Sequence, residues 1–475
     1  MTMLGWAYGV AETWLLGLAL VVLALGRSTL ARGDAAPVVL SLWLGFVASS
    51  LARYGLQALS WTSPFAVVAV DHLLLAGAAA AAILRWRRTA PERASAGPSR
   101  ADLVAAALAA CVLGLALLAA SAVAQAHPFG LWDAVSMWNL KARALAAGGE
   151  RWIPLLDSTS WPDYPLLLSL NVARLWAYAG GAPAADVPRW TALLLLVALA
   201  GLLAGALHRA RGPWIALVGL SVLLAAEPVH VLAASQYADL PLGGMELASL
   251  VCLWRSWRGR ESTALGYAAL GGAFAAAAVW TKNDGIPFFV GATAAVVAGA
   301  MLVRFRGDAP RDPLRVRRLL AWGAGTLPVL AAVVHFKAQV ANEPWLLAGR
   351  SLGEVAATLT TLDRWKGILF VYGIEARDYV TPATLVLWLL AVAAIPASRR
   401  AGSRACFLLL VGVVVFQLTV YTLVYVVTPF DVLWHTLSSA SRLALHLWPA
   451  LVWLAFLLVG DDRGPDDAGA SSRKP

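Results

Sequence analysis

Asp133 is the residue best placed by its neighbours for acid–base work. It lies in HPFGLWDAVSMWNLKARAL, residues 127–145, between Trp132 and Trp138 and directly after a long apolar run. Apolar surroundings disfavour an ionised carboxylate, raise its pKa and suit it to take a proton from an attacking hydroxyl. On a helix, Asp133, Met137 and Lys141 would share a face. The plainer alternative is a loop carboxylate paired with Lys141 or Arg143.

Other segments also set polar residues beside apolar runs. In WPDYPLLL, Pro162 and Pro165 bracket Asp163 and Tyr164 and stiffen the chain ahead of a helix, either as a rigid turn or as a substrate contact. In SQYADLPLGGMEL, Asp239 opens a span just before Pro241, where the helix dipole favours an acid. Glu246 lies deeper on the same face, and an acid in hydrocarbon is costly enough to suggest a function. In TKNDGIPFF, Lys282 and Asp284 either bind an anionic head group or pair with each other. In TPFDVLWHTLSSASRLALHLWP, His435 and Arg442 fall on one helix face. An arginine there can give a phosphate two parallel donors; anchoring at the membrane surface is the alternative.

Arg53 and Asp71 flank the turn 60–62 at similar distances. Each alone would be expensive in hydrocarbon, so they should pair as a structural bridge. Cys111, Cys252 and Cys406 show neither zinc spacing nor a disulfide framework. No spacing spells out a metal site. Asp133 and Asp239 are the acids that a divalent metal would use.

The elements that must position these residues are membrane helices. The 475 residues are 60% hydrophobic and 13% charged, whereas soluble domains are roughly half apolar and about a quarter charged. That excludes an ordinary soluble enzyme and a disordered scaffold. Runs of about 20 apolar residues, each able to cross a ~30 Å hydrocarbon core, recur at 3–26, 36–59, 63–84, 102–125, 189–208, 213–232, 239–256, 264–281, 286–303, 319–338, 380–397, 405–426 and 443–460. The expected fold is therefore an all-α polytopic membrane protein of about 13 transmembrane helices. The first run lacks a basic start and a clear cleavage site, and reads as a retained helix.

The net charge of +10 fits basic cytoplasmic loops better than nucleic acid. Most of the 37 basic residues fall in alternate short loops, provided that 163–179 does not cross. That segment is then an amphipathic helix lying on the outer face. The large loop 126–188, with its interfacial helices, and the loops near Asp239, Lys282 and His435 all become external. Residues 1–100 read as a three-helix module ending in an Arg/Pro/Ser-rich linker, 101–460 as a transmembrane core, and 461–475 as a polar, disordered cytoplasmic tail.

The segments WDAVSMWNLKAR, PDYPLLL, YADLPL, TKNDG and TPFDVLWH, followed by Ser441-Arg442, occur in an order and on a common side that resemble membrane-embedded glycosyltransferases of the C superfamily. That superfamily includes protein O-mannosyltransferases, aminoarabinose transferases of lipid A and galacturonosyltransferases of lipopolysaccharide. The resemblance covers about 102–460, leaving the first three helices outside the family core. It implies an inverting transfer of a sugar from a polyprenyl-phosphate donor to a lipid, glycan or protein hydroxyl, on the external side of a plasma (inner) membrane. It implies Asp133 as the base, Asp239 as the acid of the second external loop and Lys282 beside the donor phosphate. Trp161–Pro165 resembles the family's His-Pro-Pro element without its His. Lys141, Arg143, Asp163, Tyr164, Asp284, His435 and Arg442 are the accompanying candidates for donor and substrate contacts. Ala134 follows Asp133 where many relatives carry a second acid. The competing reading is a multi-spanning transporter or flippase of a lipid-linked saccharide. That reading predicts polar sites at the midplane and internal repeats, and the sequence shows no repeat of fixed period.

Overall fold

A computed structural model of the chain describes residues 2–26, 34–89, 97–258, 261–305, 314–340, 349–382, 384–386, 389 and 401–458. These residues form helices and their connections, with no β-strand among them. In lipid a lone segment satisfies its backbone donors and acceptors only as a helix. The order begins with α1 (Thr2–Leu25), α2 (Ala35–Ala58), α3 (Pro64–Arg88) and α4 (Arg100–Ala126). A π-helical turn (Ala134–Trp138), α5 (Asn139–Ala147), α6 (Trp152–Asp157) and α7 (Leu167–Tyr178) occupy the long connection that follows. Next come α8 (Asp186–Arg211), α9 (Pro213–Ala225), α10 (Glu227–Ala234), α11 (Asp239–Arg258), α12 (Glu261–Thr281), α13 (Gly285–Phe305) and α14 (Leu314–Gln339). The last four are α15 (Leu352–Leu359), α16 (Leu362–Tyr379), α17 (Ala401–Val427) and α18 (Val432–Leu457).

Local sequence sets several of these boundaries. Ser63 caps α3 by accepting from Ala66 N, with Pro64 at its first position. Ser99 and Asp102 form a reciprocal capping box at α4. Asp431 accepts from Trp434 N at 2.8 Å and starts α18 at Val432. The external loop expected at 427–442 therefore shrinks to a short connection, and His435 and Arg442 stand on a helix. Small residues bring α1 and α2 together: a β-carbon on Gly17 would overlap Ser41 O, and one on Gly45 would overlap Thr13 O. Close backbone contact of this kind replaces the hydrophobic drive that lipid does not supply.

Among the described residues, nine helices are long and apolar enough to cross a membrane, or ten if α9 and α10, bent by 69°, form one broken span. The expected thirteen are not reached on that measure. α11 has a span's length but carries Asp239, Glu246, Arg255 and Arg258, and it is buried almost throughout. At its far end from Asp239, Arg255 Nη1 donates to Asp34 Oδ2 at 2.6 Å. The expected tail 461–475 lies outside the described residues, as do most of the run 380–397 and of the basic loop 304–318.

The segment 163–179 departs from its expected place on the outer face. Every residue of α7 from Leu167 to Trp176 is buried, against α1, α2, α3 and α5. Arg174 is tolerated there because two acids meet it. Its Nε donates to Asp71 Oδ2 at 2.5 Å, its Nη1 donates to Thr13 Oγ1 at 2.8 Å, and its Nη2 lies 3.7 Å from Glu12 Oε2. The expected Arg53–Asp71 bridge is corrected by the same contacts. Asp71 is held by Arg174 and by Tyr178 Oη at 3.1 Å, whereas Arg53 Nη2 donates to Leu145 O at 2.9 Å. Arg53 thus places its charge at the carbonyl end of α5, where a helix dipole favours a cation.

Candidate active site

A cavity of about 1020 Å³ opens where the π turn, the 161–164 segment, α10, the α12–α13 junction, α16, α17 and α18 meet. Asp133, Tyr164, Lys282, Asp284, His435 and Arg442 line it, although they come from four distant parts of the chain. Trp132, Trp161, Phe430 and Trp434 supply aromatic walls, and Val231, Leu232, Val420, Val424 and Leu443 supply an apolar one.

Asp133 is set in place by the chain just before it. Gly130 has φ +79° and no room for a β-carbon beside Ser235 O and Ala134, so the approach to the π turn requires glycine. Leu131 N then donates to Ser235 O at 3.2 Å, and Asp133 N donates to Tyr237 Oη at 3.2 Å. The carboxylate accepts from Arg442 Nη1, and the Arg442 guanidinium lies 5.8 Å from the Tyr237 ring centre. Burial raises the Asp133 carboxyl above its ordinary range, against the pull of Arg442 and Lys282.

Lys282 sits at the α12–α13 junction between two acids. Its Nζ is 2.8 Å from Asp239 Oδ1 and 2.7 Å from Asp284 Oδ2. Burial favours the neutral amine, but Asp239 and Asp284 outweigh it and hold the ammonium above its ordinary pKa. Asp239 does not line the cavity. It is fully buried beneath Lys282 and also accepts from His446 Nε2 at 2.8 Å. Asp163 stands to one side, where its Oδ2 accepts from Lys337 Nζ at 2.9 Å and from Asn283 Nδ2 at 3.0 Å. His435 Nδ1 is 2.9 Å from Thr428 Oγ1, and its ring packs 5.0 Å from Tyr425.

Two expected donor contacts lie elsewhere. Arg143 is exposed on α5, away from the cavity. Lys141 is fully buried, and its Nζ donates to Trp161 O at 2.6 Å and Tyr164 O at 3.1 Å. It pins the proline-bracketed turn from behind, with Trp161 in the left-handed region at φ +53°. Burial there pushes its pKa down to about 7.

Several site residues had not been singled out in the sequence. Tyr237, Tyr421 and Lys337 carry no spacing signal. His446 does carry one, because it follows Arg442 by one helical turn on the same face of α18.

Among the described residues, the charged groups lining the cavity are Asp133, Glu227, Asp284 and Asp378 against Lys282 and Arg442. A phosphate bound there would share these cations with the acids. A metal held by Asp133 and Asp239 does not fit this arrangement. Both acids already face cations, and the described residues contain no cluster of three or more His, Cys, Asp or Glu able to hold an ion.

No family model, curated protein or solved structure matches the chain. Its function is therefore read from its own residues.

Proposed function

We propose that this protein is an inverting glycosyltransferase that moves a sugar from a polyprenyl-phosphate carrier to a hydroxyl of a lipid, glycan or protein. The observation that carries the reading is the meeting of Asp133, Arg442 and Lys282 in one large cavity at one end of the bundle. A membrane-anchored donor presents its reacting bond at head-group level, where such a cavity can receive it.

The acceptor oxygen attacks the anomeric carbon from the face opposite the phosphate, so configuration inverts. The new oxygen–carbon bond forms as the carbon–oxygen bond to phosphate breaks. Asp133 takes the acceptor's proton, and the polyprenyl phosphate leaves with the bonding electrons. Lys282 and Arg442 stabilise the charge that develops on it, an electrostatic contribution from groups already in place. The apolar wall formed by Val231, Leu232, Val420, Val424 and Leu443 suits an isoprenoid.

Counting the bent α9–α10 pair, α11, α13 and the run 380–397 as crossings brings the nine spans to the thirteen of the sequence. Arginine-rich loops then face the cytoplasm and the cavity opens on the external side of the inner membrane. Below Asp239, α11 buries Glu246 against Gln417 Nε2 at 2.6 Å and then Leu247, Leu250, Val251 and Leu253; the absence of an internal sequence repeat supports a transferase over a transporter.

The test is an assay of membranes containing the protein with labelled polyprenyl-phosphate sugars. Transfer by the parent chain and its loss in Asp133→Asn are expected. Movement of the lipid-linked sugar across the membrane without any transfer would sink the reading.

A further inference from the structure

His446 on α18 and Tyr421 on α17 hold both flanks of Lys282. They contact each other, with His446 Nδ1 at 3.1 Å from Tyr421 Oη. From there each reaches the α12–α13 junction by its own route. His446 Nε2 meets Asp239 Oδ1 at 2.8 Å, and the same oxygen accepts from Lys282 Nζ at 2.8 Å. Tyr421 Oη donates to the main-chain oxygen of Asp284 at 2.9 Å. An ionised carboxylate only accepts, so Nε2 carries a proton of the imidazole. His446 is fully buried and does not itself line the cavity, whose wall includes Tyr421, so it acts through its neighbours and not on a substrate directly.

We propose that His446 and Tyr421 are a positioning pair that fixes Lys282 as the phosphate-binding cation, which rests on the transferase reading above. A lysine ammonium is a point charge on a flexible four-carbon stem. It serves as a preorganised donor only when its neighbours hold it still. Lys282 Nζ donates to Asp239 Oδ1 and lies 2.7 Å from Asp284 Oδ2, and a ligand oxygen would meet it from the cavity that Lys282 lines. The carboxylates cannot set that direction unless they are fixed in turn. His446 orients Asp239, and Tyr421 fixes the backbone that carries Asp284.

The experiment titrates the purified full chain in detergent with a polyprenyl phosphate bearing no sugar, and follows tryptophan fluorescence. His446→Ala should weaken binding about tenfold, the scale of a lost hydrogen bond to a charged group. His446→Gln, which restores an N–H toward Asp239, should recover most of it. Tyr421→Phe keeps the ring and should weaken binding by a smaller factor. In a Lys282→Met background neither His446→Ala nor Tyr421→Phe should cause a further loss, because both act through the ammonium. Should His446→Ala fail to fold, Tyr421→Phe in the two backgrounds carries the same cycle. Unchanged affinity in both single variants overturns the positioning role, and so does an equal loss with and without Lys282. A parent chain that does not bind the lipid phosphate overturns the transferase reading and the positioning role together.

Discussion

Asp133 and Arg442 form an ion pair, and replacing the acid should therefore act in opposite directions on turnover and on binding. On the proposed reaction Asp133→Asn keeps the shape and removes the proposed base, so turnover should fall by roughly 10²–10⁴-fold. It also releases Arg442 from a carboxylate, so binding of a polyprenyl phosphate should tighten; calorimetric titration of the parent and the variant checks both directions. The pH profile follows from the raised Asp133 carboxyl. A base works only when ionised, so kcat/KM should climb with pH through that group's pKa. The midpoint should lie above the ordinary aspartate value of about 3.9, and this acid limb should vanish in Asp133→Asn. Charged residues beside apolar runs are few, which made Asp133, Lys282 and Arg442 legible in the sequence. Lys141 misled for a physical reason. Its ammonium turns to the carbonyls of Trp161 and Tyr164, and periodicity along α5 does not register backbone atoms twenty residues away.

α7 shows why helix existence is easier to read than helix position. Its arginine and asparagine mimic the polar stripe of an interfacial helix, yet Asn171 Nδ2 donates to Phe46 O at 3.0 Å and Arg174 faces Asp71 and Glu12. The partners that permit burial lie far away in sequence, so the local pattern could not reveal it. Arg174→Ala should leave two buried acids without their cation and cost about 3–5 kcal/mol. Arg53→Ala, which strands no carboxylate, should cost distinctly less. Thermal unfolding of both variants in detergent measures the difference, and equal losses would contradict the pairing. α18 teaches the converse: the shared helix face of His435 and Arg442 was readable from their spacing, and the cap at Asp431 joins that turn to the last span as one helix from Val432 to Leu457.

At the scale of the molecule, hydropathy located most of the bundle, with α11 at its centre as the run 239–256, but not what holds that helix in place. α11 carries four charged residues and is tied by Arg255–Asp34 at one end and Asp239–Lys282 at the other. The orientation remains a statement about arginine: single cysteines at 150 and 310 should react with a membrane-impermeant thiol reagent from opposite sides. The Arg174 cluster also bears on how the protein is made. Synthesis runs from the N-terminus, so Asp71 enters the membrane 103 residues before the arginine that neutralises it. The first three helices must wait, with two acids uncompensated, until α7 is delivered from the far side of α4. A nascent chain halted before residue 170 should be recognised as unfinished and degraded, whereas one released after residue 180 should persist. A membrane protein whose early helices are completed only by a later one carries its own checkpoint on assembly.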